Sequence, residues 1–345
     1  MKINSKTQYF DQLQVLRGVA AIMVVFHHSI GSLKYYHQIN YYFLDLIGSI
    51  GKLGVDFFFI LSGFIISFSA TEKYDTQNAL KNFFLNRIFR IYVPYLPIGI
   101  LMLLLYSFLP HFSYGNRSIS LLTSLTLIPN GSPALSVAWT LTFELFFYVV
   151  FCISFISKKA WNYFLILWFL LILFFNYFQV VPSFLQNSFS KIFLSTYNLE
   201  FILGYILACL VTSIIIKKSF LWLGFVIFTS IFIILKLNKI SYFYFDLNLI
   251  FGFASFIIIY LAILYNKKLS KKSLFMIIGN STYSIYLVHN PLQMIVIRFL
   301  PKIDTLTSSL LILLLVVLVS VGVGYFYSFV FEKKLISIIK TKILI

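Results

Sequence analysis

The sequence predicts an all-α, polytopic integral membrane protein with about ten transmembrane helices and both termini in the cytoplasm. Three observations carry that prediction. First, 60% of the 345 residues are hydrophobic and only 11% are charged, with a mean hydropathy of +0.94. Second, the apolar residues gather in runs of about 20, the length that crosses a membrane as a helix; a β-barrel would show short alternating segments instead. Third, the lysines and arginines between the runs are unevenly placed. Eighteen fall in segments assigned to the cytoplasm and eight in segments assigned outside, the bias of positive-inside topology. The formal charge of +17 is therefore spread over short loops. That excludes a nucleic-acid groove, in which basic residues cluster on one face.

The runs lie at 13–33, 53–69, 88–109, 135–156, 161–181, 198–216, 220–235, 247–265, 276–297 and 307–330. The first is not read as a cleavable leader, because it is long, carries charge and is followed by many more. Segment 39–50 is aromatic and contains glycine, and reads as interfacial or re-entrant. The seventh run is the shortest. Cys152 and Cys209 fall inside apolar runs and read as small buried hydrophobes, without the spacing of a metal site. The longest outer connections, 33–52 and 110–134, are too short for a separate domain. Residues 1–345 are accordingly read as one domain. No internal repeat is evident, so the inverted-repeat signature of many transporters is missing.

Several runs carry polar residues that make insertion harder. The first, LQVLRGVAAIMVVFHHSIGSL, holds Arg17, His27 and His28. A charge near a membrane centre costs about 2.5–3.5 kcal/mol on insertion scales, against about 0.3–0.6 returned by each large apolar residue. Arg17 and His28 are eleven residues apart, which returns to the same helix face within roughly 20° and separates them by roughly 16 Å along the axis. His27 points about 100° away. One stripe thus presents a guanidinium near one surface and an imidazole deeper in.

The second run opens GKLGVDFFFILSGF, with Asp56 about one turn inside and Ser62 and Gly63 suited to close helix packing. Arg87 and Arg90 precede the third run and share a helix face. Arg forks bind phosphate bidentately, so they suit a polyanion. Pro94 and Pro97 predict a kink. In the fourth run Glu144 lies near mid-membrane, with Trp139 before it and Tyr148 one turn after. A lone buried carboxylate must pair or take a proton. The ninth run carries Tyr286, His289, Asn290 and Pro291, with Tyr286 and His289 on nearly one face. Glu332 reads as a solvated residue of the tail. Arginines therefore collect at the inner level, and acid/base groups in the middle and outer half. That pattern suits chemistry across a membrane, a proton-coupled transporter or flippase, or a scaffold whose polar groups only lock helices.

These residues carry a resemblance. The chain resembles the membrane-bound acyltransferase family 3, the bacterial O-acyltransferases of surface polysaccharides. The matches are Arg17-x10-His28; Gly54-Val-Asp56-Phe-Phe-Phe-Ile-Leu-Ser62-Gly63-Phe64; Arg87-x-x-Arg90; Trp139-x4-Glu144-x-Phe-Phe-Tyr148; and Gly279-x-Ser-x-Tyr283-Ser-x-Tyr286-Leu-x-His289-x-Pro291. They run along the whole chain in the family's order. The tail sequence FEKK departs from the family's Glu-x-Pro, which leaves the role of Glu332 open. The resemblance implies a ten-helix core in the bacterial cytoplasmic membrane and an acyl-CoA donor, usually acetyl-CoA, entering from the cytoplasm. It implies an acceptor hydroxyl on a glycan or glycolipid, and no metal. Some relatives carry an extracytoplasmic domain; this chain, ending at Ile345, resembles the stand-alone forms.

Role by role, the resemblance and the residue chemistry imply His28 as general base. Glu144 or Asp56 would orient or steady its imidazole. Arg17, Arg87 and Arg90 would hold the phosphates of CoA. Tyr148, Tyr286, His289 and Trp139 would shape the acceptor pocket or bind the thioester oxygen. Direct transfer and a transient acyl-enzyme both remain open.

Overall fold

A computed structural model describes residues 10–343, apart from 71–73, 75, 113–117, 180–181, 214–215, 238–245 and 302–304. Lys2, Lys6, Lys73, Arg117, Lys239 and Lys302, which entered the charge balance, lie outside the described residues. The described residues fold as helices joined by short connections. Among the described residues the only extended pairing is an isolated bridge between Ile119 and Ser132.

The helices are α1 (Asp11–His37), α2 (Tyr42–Gly51), α3 (Gly54–Ala70), α4 (Ala79–Phe108), α5 (Leu121–Thr126), α6 (Trp139–Phe151), α7 (Ile153–Ile156) and α8 (Lys158–Phe178). They continue as α9 (Ser188–Phe193), α10 (Tyr197–Ser213), α11 (Lys218–Leu237), α12 (Asp246–Leu264), α13 (Leu274–Asn280), α14 (Thr282–Arg298), α15 (Leu306–Tyr327) and α16 (Lys333–Ile343). Each of the ten apolar runs is mostly helical over its described residues. Among the described residues, seven spans are long and apolar enough to cross a membrane: 11–37, 42–70, 79–108, 136–156, 158–178, 218–235 and 306–339. Two further apolar helices, at 197–213 and 249–264, are shorter.

Local chemistry explains the departures from the expected boundaries. Segment 39–50 is mostly helix α2, which runs on towards α3 with only Lys52 and Leu53 between them. The ninth run is split at Ser281 into α13 and α14. There the Thr282 hydroxyl competes for backbone groups, donating to the Gly279 and Ile278 carbonyls at 2.6 and 3.2 Å. Helix α4 continues through Pro94 and Pro97 without a break. Tyr283 and Tyr327 donate their hydroxyls to the Ile91 and Pro94 carbonyls at 3.0 and 2.8 Å, pinning this stretch of α4 to α14 and α15. Helix α15 ends in a π-helical turn, Ser328–Glu332.

The residues group into two compact units. One comprises residues up to Leu13, Asp56–Arg87 and Phe143–Lys268. Its core is aromatic: Phe147 stacks on Phe201 with centroids 4.6 Å apart, and Trp161 and Phe151 meet edge to face at 5.3 Å. The other comprises Gln14–Val55, Ile88–Thr142 and Leu269–Ile345. Its interior is aliphatic around α1, α14 and α15, with Val24, Val25, Ile285, Leu287 and Val316 almost fully buried. Many large apolar residues of α8, α11 and α15 are exposed, among them Ile166, Leu223 and Leu318, the outward face of helices that lie in lipid. Cys209 is on that outward side of α10, contrary to the buried reading, and Cys152 is half-buried.

Candidate active site

The second unit contains the histidines. Helix α1 is unbroken from Asp11 to His37, so Arg17 and His28 keep the common face that their spacing requires. Both side chains are half-buried, and Arg17 Nη1 donates to Gln14 Oε1 at 3.0 Å. His27 departs from this stripe: its Nδ1 is 2.7 Å from the Gly48 carbonyl oxygen on α2. A carbonyl only accepts, so that nitrogen carries the hydrogen.

No hydrogen bond from the described residues engages the His28 imidazole. Its ring stands between those of His27 and His289, with centroids at 4.9 and 5.2 Å. His289 is fully buried on α14, and its Nδ1 lies 3.2 Å from the Ile285 carbonyl. Tyr286 stands one turn earlier, its ring 5.5 Å from that of His289. Its hydroxyl meets Thr140 Oγ1 at 2.8 Å and the Val137 carbonyl at 3.3 Å, which ties α14 to the segment leading into α6. Trp139, at the start of α6, is half-buried. Asn290 accepts from Ser136 at 2.6 Å. Arg90, also half-buried, lies in this unit.

The first unit contains the carboxylates and Arg87. The Tyr148 hydroxyl donates to Glu144 Oε1, and the Arg87 guanidinium lies over the Tyr148 ring, 5.6 Å from its centroid. Arg87 also reaches Ser69 Oγ at 2.9 Å. Cation, ring, hydroxyl and carboxylate thus form one connected chain. Asp56 pairs differently. It is 2% exposed and lies beside Glu200, 1% exposed, on α10. Two carboxyl groups buried side by side repel when both are charged. Within its own unit, then, Glu144 is held by Tyr148, and Asp56 lies beside Glu200.

Three residues escaped the sequence reading. Glu200 sits in the first turn of α10; as an ionisable residue at the head of an apolar run, it carries the same signal that singled out Asp56. Gln293 and Thr140 gave no comparable signal, because uncharged polar residues are common in helices. Glu332 is a correction. It is half-buried on the π-turn and accepts from the fully buried Ser284 at 2.5 Å. The extra residue of the π-turn changes the helical phase there, which a regular period through the tail does not anticipate.

Several apolar helices of membrane length point to a multi-pass membrane protein. The chain belongs to acyltransferase family 3: a family model described as an acyltransferase domain matches residues 10–328, nearly its whole length. It is a membrane acyltransferase. No curated protein and no solved structure gives a match.

Proposed function

We propose that the protein is an O-acetyltransferase of the bacterial cytoplasmic membrane, moving an acetyl group from cytoplasmic acetyl-CoA to a hydroxyl of an exported or surface polysaccharide or glycolipid. The observation that carries this reading is His28. It is a half-buried imidazole in a membrane helix, left unengaged by the described residues, on the same stripe as Arg17. An imidazole has the proton affinity to deprotonate a hydroxyl as it attacks a thioester. Arg17, Arg87 and Arg90 supply charge for the phosphates of the donor. The excess of cytoplasmic lysine and arginine supports ten crossings, with both termini and all three arginines on the donor side. The surface glycan, isolated from cells with and without the gene product, tests it directly. Acetyl signals in its proton resonance spectrum should depend on the protein; equal acetyl content would refute the reading.

The donor assignment has its own test. Arg90→Lys should raise the KM for acetyl-CoA about tenfold, roughly the worth of one charge-assisted hydrogen bond. Lysine keeps the charge and loses the bidentate fork. An unchanged donor KM would remove Arg90 from the phosphate site.

A further inference from the structure

His289 holds a lone pair that nothing among the described residues uses. Its Nδ1 faces the Ile285 carbonyl at 3.2 Å, so Nδ1 bears the hydrogen and Nε2 of the neutral ring is an acceptor. That Nε2 is buried and, among the described residues, receives no hydrogen bond. A protonated Nε2 would be worse, since it would bury a charge with no counterpart.

The neighbouring ring with an N–H to give is that of His28, with its centroid 5.2 Å away. His27 is already committed through its Nδ1 to Gly48, and the Tyr286 hydroxyl to Thr140 and Val137. Gln293, one turn beyond His289, fastens α14 to α1 at this level. Its amide nitrogen donates to Ser29 Oγ at 2.8 Å and to the Val25 carbonyl at 3.2 Å. Ser29 follows His28 directly and Val25 lies nearly one turn before it, so the clamp keeps the two imidazoles in register.

We propose that His289 is the positioning residue for His28: a turn of the His28 ring, which makes no hydrogen bond to the described residues as it stands, brings its N–H onto the His289 Nε2 and leaves the other nitrogen of His28 unprotonated and directed to the acceptor hydroxyl. This rests on the acyl-transfer reading above. In the step, the acceptor O–H proton moves to that free nitrogen while the oxygen bonds to the thioester carbonyl carbon. The C–S bond then breaks, and His28 returns the proton to the departing thiolate, giving free CoA thiol. The second nitrogen of His28 stays hydrogen-bonded to His289 throughout. An imidazole thereby fills the place that a carboxylate holds in other nucleophile–base–orienter arrangements.

Two substitutions separate this role from mere bracing. In His289→Asn the amide nitrogen replaces Nδ1 and keeps the Ile285 contact, but the Nε2 acceptor is gone. In His289→Gln the amide oxygen reaches the Nε2 position. Purified full-length protein in lipid nanodiscs is assayed with labelled acetyl-CoA and acceptor glycan, and the nitrogen-15 histidine resonances of the ligand-free protein are recorded, with His28→Ala to assign the His28 signals. The expected result is a kcat lowered about 100-fold in His289→Asn, the lower end of general-base effects, with both KM values within twofold. His289→Gln should recover to within about tenfold of the parent. The parent should show His28 as one fixed tautomer, His289→Asn an average of two, and His289→Gln the fixed form again.

A normal kcat in His289→Asn, with the His28 tautomer still fixed, would overturn the proposal and leave His289 as a helix brace. A loss confined to the acceptor KM would overturn it in favour of direct glycan contact. If the parent transfers no acetyl group yet shows the tautomer shifts, the pairing stands and the acetyl-transfer reading fails. If the parent transfers and the shifts are missing, the pairing alone fails.

Discussion

His28→Ala is expected to lower acetyl transfer by about 10²- to 10⁴-fold, the span associated with loss of a general base, and to leave the amount and thermal stability of the protein close to those of the parent. The second half of that expectation follows from the surroundings of the imidazole. It is half-buried, and the His289 Nε2 that its N–H is inferred to satisfy can take a water in the space left, so the net cost is about 0.5–1.5 kcal/mol. His27→Ala is the paired control. Its Nδ1 contact to Gly48 would be lost, at a net cost of about 0.5–1.5 kcal/mol. The cost stays small because the Lys52 N–H reaches the same carbonyl at 3.2 Å. Turnover per folded molecule should survive in His27→Ala. Transfer from labelled acetyl-CoA, set beside a thermal unfolding curve for each variant, reads both quantities. Near-normal turnover in His28→Ala together with a dead His27→Ala would mean that the wrong face of α1 had been assigned to the chemistry.

The helices were legible because burial in lipid leaves a strong, local trace. A run of about 20 apolar residues is sufficient to propose a span, and each of the ten runs is mostly helical over its described residues. The stripe of Arg17 and His28 was legible for a similar reason: helical phase follows from residue spacing alone. The partnerships were not. That Asp56 meets Glu200 depends on how α3 packs on α10, and no periodicity within either run encodes it. Tyr286 shows the same limit, since its place on the face of His289 was readable, whereas the commitment of its hydroxyl to Thr140 and Val137 was not. Glu332 was misread because its position after the last apolar run resembles a solvated tail, while the π-turn carries it to Ser284. Gln293 was invisible, although it aligns α14 with α1 beside the candidate base.

The largest expected effect on stability comes from a contact whose signal was present. Gly63 was noted for close packing, and in the first unit it faces Gly204 where α3 meets α10. A Cβ on Gly63 would overlap the Phe201 carbonyl, and one on Gly204 would overlap the Ile60 carbonyl and stand 2.6 Å from the Phe64 nitrogen. Two backbones this close pack through the small-residue contact typical of membrane helices. The neighbouring atoms are main chain, which cannot swing aside as a side chain can. Gly204→Ala should therefore lose about 1–3 kcal/mol through overpacking, and Gly204→Leu should not be recovered as folded, monodisperse protein.

Gly322→Ala supplies the contrast, because a Cβ there meets nothing within 4 Å. It should gain up to about 1 kcal/mol from helix propensity. Glu200 lies one turn before Gly204 on α10, and Asp56 two turns before Gly63 on α3, so separating the helices would also part these two buried carboxyl groups. Thermal unfolding in detergent ranks the three variants. A Gly204→Leu protein as stable as its parent would mean that α3 and α10 do not meet at these glycines.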